Sequence, residues 1–301
     1  MILTNLINGL APIEKKFNDV LINGININSK EVSPGSLFIA IEGHSNDGHS
    51  FVNDAFQNGA SAVISEKHQA SEIDKPQIIV NDTRKAVSII SSRFYDNPSK
   101  ELVIIGVTGT NGKTTTSYII KECLSQAGLK TAQIGTTGVI AEGYKQEKTL
   151  TTPDAITLQR LLRDLVKQSF SHVVMEVSSH ALEQFRVHNI DFNIVVFTNL
   201  SEEHLDYHGT MENYFHAKSK LLELLDPKTG LAVINYDDPY GERLLGSTKR
   251  ESIAFSKKNS DVIHFENLNS NDSKIFGSIS TESIAYDINS KLIGGFNQEN
   301  I

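Results

Sequence analysis

The chain has 301 residues but no tryptophan, a single cysteine (Cys123) and only seven prolines. One cysteine excludes an internal disulfide framework and suits a reducing compartment. Long hydrophobic runs are missing too, and none approaches the ~20 apolar residues that a membrane-spanning helix needs. There is no long basic run, and Asp and Glu (36) outnumber Lys and Arg (28), for a formal charge of -8. Nothing therefore draws the protein toward nucleic acid, although an acidic chain can still hold a phosphorylated ligand in a locally positive site. The opening stretch MILTNLINGLAPIEKKF lacks both a basic start and a clean apolar core, so no signal peptide is expected. What is present is 39% hydrophobic residues, enough for ordinary cores, in a length that suggests about two domains of ~150 residues each.

Periodicity predicts an α/β protein. Residues 1–98 read as a small α/β domain. GSLFIAI (35–41), SAVIS (61–65) and QIIV (77–80) have the texture of short strands. Residues 49–60 carry a helical stripe of Phe51, Val52, Ala55 and Phe56 that Gly59 ends, and Asp82 caps a helix over 82–95. The polar, proline-containing DNPSKE (96–101) marks the boundary of a second domain, 99–301. There LVIIGVT, TAQIG, SHVVMEV, DFNIVVFTN and LAVIN alternate with helical segments, the pattern of a mostly parallel sheet. The helix after Lys113 presents Ile119, Ile120, Cys123, Leu124 and Ala127 as its apolar face. From Asp261 onward weak alternation predicts small antiparallel strands, and LIGGFNQENI reads as the entry to a helix with room for one turn.

The chemistry begins at IIGVTGTNGKTTTS (104–117), a buried strand that breaks into a glycine-rich turn and opens a helix. Such a turn aims backbone N–H groups at an anion, most often a phosphate. Lys113 can reach β- and γ-phosphates, and the Thr114 hydroxyl can coordinate Mg2+. The strict Walker spacing asks for glycine where Val107 stands, so Gly106 and Gly109 are expected to supply the turn. The alternative is a glycine turn with a solvated lysine, which leaves GKTTT at a helix N-terminus unexplained.

Two further residues follow strands, where ligands of open α/β sheets gather. Glu176 ends HVVME, and His204 follows VVFTN. With Thr114 they could surround Mg2+ between phosphates, or Glu176 could be an ion-pair partner and His204 a helix cap. Lys218 lies in the periodic segment YFHAKSKLLELL; pattern alone does not separate it from Lys220 or from a lysine snorkelling at a core edge.

Taken together, GVTGTNGKTTT, TTPDAITLQ, MEVSSHALEQFRV, FTNLSEEHLDYHGTMENYFHAK and VINYDD resemble the Mur ligases of peptidoglycan synthesis, most of all those that add the third residue of the stem peptide. INSKEVSPGSLFIAIEGHSNDGHSFV resembles the UDP-binding domain of those enzymes. The resemblance implies an ATP-dependent amide ligase of cell-wall biogenesis, cytoplasmic and monomeric, acting on UDP-MurNAc-L-Ala-D-Glu and a diamino acid. It implies that Gly109, Thr110, Asn111, Gly112, Lys113, Thr114 and Thr115 bind ATP, and that Thr114, Glu176 and His204 help hold Mg2+. It places a carbamylated lysine at Lys218, which would turn a cation into an anionic metal ligand. Ser29, His44, Ser45 and Asn46 match positions that hold the UDP-sugar. Thr151, Thr152, Ser178, Gln184 and Arg186 match positions on the muramoyl-peptide side, where a guanidinium fork suits a carboxylate or phosphate. The folylpolyglutamate synthetases of the same superfamily lack such a first domain.

Three departures stand out. Asn28, Ser29 and Lys30 occupy the place of an Asp-Ser-Arg triplet, and Lys30 keeps the charge but loses the rigid fork. Glu202 and Glu203 precede His204 where an Arg-Asp pair is common. The third, amino-acid-binding domain of the family has no counterpart among these residues, so the chain alone is expected to lack ligase activity, and the choice between diaminopimelate and lysine is not legible.

Overall fold

A computed structural model of the chain describes all residues except 11, 13–18, 44–45, 69–74, 146, 258, 260–261, 272–273, 282–283, 293–296 and 299. The chain forms two compact units. The first comprises Met1–Pro98 with two later segments, Asp154–Asp164 and Gln184–Asn189; the remainder forms the second. Both later segments belong to the stretch expected to be second domain.

In the first unit, in chain order, α1 is Leu3–Ile7, β1 Gly24–Asn26, β2 Ser36–Ile39, α2 Val52–Gln57, β3 Ala62–Ser65, β4 Gln77–Ile79 and α3 Thr83–Phe94. The four strands form one parallel sheet in the order β1-β2-β3-β4. β2 and β3 are buried at every position, which is why they read as continuous apolar runs instead of alternating ones. One apolar cluster joins Leu3, Leu6, Leu37, Ile39, Ile64, Ile78 and Ile90. A second packs Val52, Ala55 and Phe56 against Phe38 and Val63. The expected stripe is thus correct except at Phe51, which is exposed in a 3-10 turn (Gly48–Phe51) that precedes α2. Asp82 caps α3 as expected, its carboxylate accepting from the Lys85 N–H at 2.9 Å.

The rest of the chain supplies β5 (Val103–Thr108), α4 (Lys113–Gln126), β6 (Thr131–Gly135), β7 (Gly138–Ile140), α5 (Ala155–Lys167), β8 (His172–Glu176), α6 (Ser179–Glu183), β9 (Ile194–Phe197), α7 (Leu205–His208), α8 (Met211–Glu223), β10 (Leu231–Asn235), α9 (Pro239–Ser247), β11 (Glu251–Ser256), β12 (Ile263–Ser270), β13 (Ile275–Ser280) and β14 (Ala285–Ser290). The strands make one sheet in the order β14-β13-β12-β11-β10-β9-β5-β8-β6-β7. From β6 to β12 the pairing is parallel, and β7, β13 and β14 add antiparallel edges. The expected C-terminal hairpins therefore extend the same sheet. Of LIGGFNQENI, residues 293–296 and 299 lie outside the described residues; at the expected helix start, Asn297 and Gln298 form a 3-10 turn, and the Asn300 N–H donates to the Asn297 carbonyl at 3.1 Å.

Two expectations fail in instructive ways. Gly106 is not part of the turn: it lies inside β5, where an added Cβ would stand 2.8 Å from the Phe192 ring, so its role is close packing. The apolar face of α4 is only half buried, with Cys123 and Ala127 exposed. Ile119, Ile120 and Leu124 instead wall an apolar cavity of about 390 Å³ with Val196, Val233 and Phe255. No helix among the described residues is long and apolar enough to cross a membrane.

Candidate active site

Parallel strands end on one side of the sheet, and the loops that follow β5, β6, β8 and β9 build a single cavity of about 380 Å³ in the second unit. Its walls carry Thr110, Asn111, Gly112, Lys113, Thr114 and Thr115 from the loop between β5 and α4, with Thr136, Thr151, Glu176, Ser178, Glu203, His204, Tyr214 and Lys218.

The β5–α4 loop turns at Gly109 (φ 152°) and Gly112 (φ 86°), conformations that side chains resist. At Gly109 a Cβ would also collide with the Thr198 hydroxyl. The loop is tied to the segment just after β9 by Asn111, whose N–H donates to Asn199 Oδ1 at 2.9 Å and whose carbonyl accepts from Thr198 Oγ1 at 2.7 Å. Lys113 Nζ curls back to donate to the carbonyls of Gly109 (2.9 Å) and Thr110 (2.8 Å). Burial lowers its pKa, while Glu176 and Glu203 act in the opposite sense.

Glu176 is fully buried, and neither of its oxygens meets a lysine or arginine among the described residues. Its Oε2 accepts from Thr114 Oγ1 (2.9 Å) and Thr136 Oγ1 (3.0 Å), and its Oε1 from the Thr136 N–H (3.0 Å). The ion-pair alternative for this residue therefore fails. Gly135 makes the seat possible, since a Cβ there would lie 2.7 Å from Cδ and 2.9 Å from Cγ of Glu176.

His204 opens α7 in the left-handed region (φ 54°), and its side chain makes no capping hydrogen bond. Its ring instead lies 4.9 Å from His180 and 6.2 Å from Tyr214. A non-glycine residue in this region is strained, a condition that concentrates at functional sites. Nearby His208 is buried, shares a 2.9 Å hydrogen bond with Ser179 Oγ and stacks on Tyr214. Burial lowers its pKa.

Lys218 and Lys220 now separate. Lys220 pairs with Glu183 at 2.7 Å and is 40% exposed. Lys218 is 1% exposed, donates to the Gly109 carbonyl at 2.7 Å and lies 4.6 Å from the centre of the Tyr214 ring. Burial drives its pKa well below the usual lysine range, and the neighbouring Lys113 adds to the shift. Snorkelling is thereby excluded, because the amine points into the protein.

Other expected residues sit elsewhere. Thr152 is buried beneath the cavity wall, with Oγ1 donating to the Glu176 carbonyl (2.9 Å) and accepting from the Ser178 N–H (3.0 Å). Ser29, Asn46, Gln184 and Arg186 belong to the first unit. There Ser29 is buried, and Arg186 grips the Gln184 side-chain oxygen through Nε (3.1 Å) and Nη2 (2.7 Å). His44 and Ser45 lie outside the described residues. Sequence reasoning missed Thr136, Ser179 and Tyr214 and gave Glu203 no role. Thr136 directly follows β6, so the rule that picked out Glu176 could have found it; Tyr214 stands one helical turn before Lys218.

The model of the Mur ligase middle domain matches residues 107–301, and that of the Mur ligase family catalytic domain matches residues 21–95. The chain belongs to the Mur ligase family. UDP-N-acetylmuramoyl-L-alanyl-D-glutamate--2,6-diaminopimelate ligase of Aquifex aeolicus is 43% identical over 284 residues, which are 93% of this chain and 57% of the relative. The protein of the same name from Geobacillus thermodenitrificans is 38% identical over 93% of this chain and 58% of its own. A solved structure of a ligase with that name superposes with a TM-score of 0.82 at 32% identity, covering 93% of this chain and 57% of the other. The chain thus spans somewhat more than half the length of these relatives.

Proposed function

We propose that this Mur ligase chain binds ATP and a UDP-muramoyl peptide as part of an ATP-dependent ligase that adds the third amino acid, diaminopimelate or lysine, to UDP-MurNAc-L-Ala-D-Glu. The observation that carries the reading is the convergence of Lys113, Thr114, Glu176, His204 and Lys218 on one cavity. The names of the relatives support the substrate.

The donor set suits Mg2+. Among the described residues no cluster of three or more His, Cys, Asp or Glu could hold a metal on its own. Mg2+ is commonly bound in that sparse way, by one or two protein groups with phosphates and water completing the shell. Glu176, His204 and the Thr114 hydroxyl would hold it, with Lys218 joining as a carbamate. When bound, it would neutralise charge on the phosphates.

The residues then take complementary roles. The N–H groups of the loop from Gly109 to Thr115 cradle the phosphates at the start of α4. Lys113 leaves the Gly109 and Thr110 carbonyls to stabilise the phosphoryl group passing to the D-glutamate carboxylate. The acyl phosphate so formed, with ADP as the leaving group, is attacked by the amine of the incoming amino acid, giving the amide and releasing phosphate. No side-chain nucleophile is needed. Ser178 and Thr151 orient the peptide from the cavity wall, Ser29, His44, Ser45 and Asn46 hold the UDP-sugar, and Gln184 and Arg186 contact the muramoyl-peptide region.

Calorimetric titration of the 301-residue chain tests the reading. It is expected to bind MgATP, and separately UDP-MurNAc-L-Ala-D-Glu, each saturably; Lys113→Ala should abolish the first and spare the second. Failure to bind the muramoyl dipeptide while MgATP still binds would overturn the substrate assignment.

A further inference from the structure

Glu176 Oε2 and Thr151 Oγ1 are joined through a single hydroxyl. Thr136 Oγ1 stands 3.0 Å from Glu176 Oε2 and 3.2 Å from Thr151 Oγ1. A carboxylate oxygen accepts, and a threonine hydroxyl carries one hydrogen. The Thr136 hydrogen is therefore directed at Glu176, and in the second contact Thr151 must donate. The order is fixed: the Thr151 O–H donates to Thr136, and the Thr136 O–H donates to Glu176.

We infer that Thr136 is a positioning residue that couples the metal-side carboxylate to the peptide-side threonine, and that it leaves Thr151 facing the cavity as a hydrogen-bond acceptor. The inference rests on the proposed function for the identity of the two sides. Three independent features make the relay a built one. Thr136 holds Glu176 twice, through Oγ1 on one carboxylate oxygen and through its N–H on the other, which fixes the plane of the carboxylate. Gly135 clears the space that the carboxylate occupies. Thr152, next to Thr151, is pinned to the Glu176 carbonyl at 2.9 Å, so the loop carrying Thr151 is registered on β8 by a second bond.

The chemical consequence is selective. With its hydrogen turned inward, the Thr151 side chain offers lone pairs to the cavity. It can accept from an amide N–H or a hydroxyl of the substrate, and it cannot donate to a carboxylate or phosphate without breaking the relay. A substrate anion that took the Thr151 hydrogen would leave Thr136 without that donor. The relay thus favours a peptide N–H over an anionic group at this wall and transmits the choice to the residue beside the metal.

The test is nucleotide titration of the 301-residue chain, using a non-hydrolysable ATP analogue with and without Mg2+, on the parent and on Thr136→Val, Thr136→Ser, Thr151→Val and the Thr136→Val/Thr151→Val pair. Thr136→Val should weaken binding in Mg2+ about tenfold, as expected for loss of one hydrogen bond to a charged group. It should change binding without Mg2+ less than twofold. Thr136→Ser, which keeps the hydroxyl, should restore the parent value. Thr151→Val should weaken Mg2+-dependent binding by a smaller factor, and the double variant should match Thr136→Val. Parent-like binding by Thr136→Val, equal loss in Thr136→Ser, or additive losses in the double variant would each overturn the relay while leaving the proposed function standing. A parent chain that binds no Mg2+–nucleotide would overturn both.

Discussion

Alanine at Gly135 puts the seat of Glu176 to a quantitative test. The new Cβ would stand 2.7 Å from Cδ and 2.9 Å from Cγ of a fully buried carboxylate. Non-bonded carbons prefer ~3.5–4.0 Å, so about 1 Å must be recovered. The backbone at Gly135 is paired with Gly138 of β7, and the preceding Ile134 with Met175 of β8, so it yields little. Glu176 is the part that moves. Of its three hydrogen bonds, at 2.9, 3.0 and 3.0 Å, the two nearer the new methyl, both from Thr136, would stretch past the ~3.5 Å at which such bonds cease. Losing two bonds to a charged group at ~1.5–3 kcal/mol each gives about 3–6 kcal/mol; water reaching the displaced carboxylate through the cavity mouth offsets part of it, leaving about 2–4 kcal/mol. Gly135→Ala should therefore lower stability by that amount in urea unfolding and remove Mg2+-dependent nucleotide binding. In a Glu176→Ala background the obstacle is gone, and the same substitution should cost less than ~1 kcal/mol. The expected coupling between the two positions is thus well above the ~0.5 kcal/mol that independent sites show. Additive effects would refute the argument, because they would mean that the glycine is needed for something other than the carboxylate.

Other expectations follow from the charged groups. Lys218→Met should raise stability at neutral pH by about 1–4 kcal/mol, since on folding the lysine must either desolvate its charge or give up its proton, and methionine does neither. The folded pKa of Lys218 is depressed, so the unfolded chain binds more protons and the parent gains stability as pH rises; the advantage of Lys218→Met should shrink toward ~10.4, the unfolded value. An advantage constant from pH 7 to 10 would contradict the buried amine. With labelled bicarbonate, the parent should show a carbamate carbon resonance by NMR that Lys218→Met lacks. In the first unit, the N–H and imidazole of His49 lower the pKa of Asp47 to about 2. Its contribution is present above ~3.9 and lost as pH falls through the folded value. Asp47 is 38% exposed, so solvent screening reduces the effect of Asp47→Ala to about 1 kcal/mol at pH 7, and the parent and variant should converge near pH 2.

What the sequence made legible was governed by local rules. A buried parallel strand followed by GTNGKTT has few other readings, and β5, its turn and α4 appear where expected. The same holds for Asp82 as a cap and for Glu176 at a strand end. What stayed hidden depends on pairing across the chain. Gly106 looks like a loop glycine until Phe192, 86 positions on, is found against it. Lys218 and Lys220 have the same local pattern, and only the fold decides which one turns toward the Gly109 carbonyl. Thr152 looks like a ligand residue and proves to be a tie between two loops. Thr136 carries no motif; its role exists only because β6 lies beside β8.

The two lysines of the cavity pose an electrostatic problem that the proposed chemistry resolves. Lys113 and Lys218 both donate to the Gly109 carbonyl, at 2.9 and 2.7 Å. Two ammonium groups on one oxygen repel each other, and Lys218, the more deeply buried, is the one whose pKa falls well below the lysine range. Glu203 counters both, but it is exposed and screened. The relief on the protein's side is a neutral amine at Lys218. A neutral amine is also the form that adds carbon dioxide, so the burial that makes an ammonium unfavourable would favour the proposed carbamylation. The carbamate would reverse the sign at that position. A second cation beside Lys113 repels Mg2+, whereas an anion there would join Glu176 in attracting it and would leave Lys113 free to face the phosphates. On this argument the lysine at 218 cannot be replaced by a permanently charged arginine, which keeps the repulsion, and a glutamate there would reproduce the final charge but not the reach.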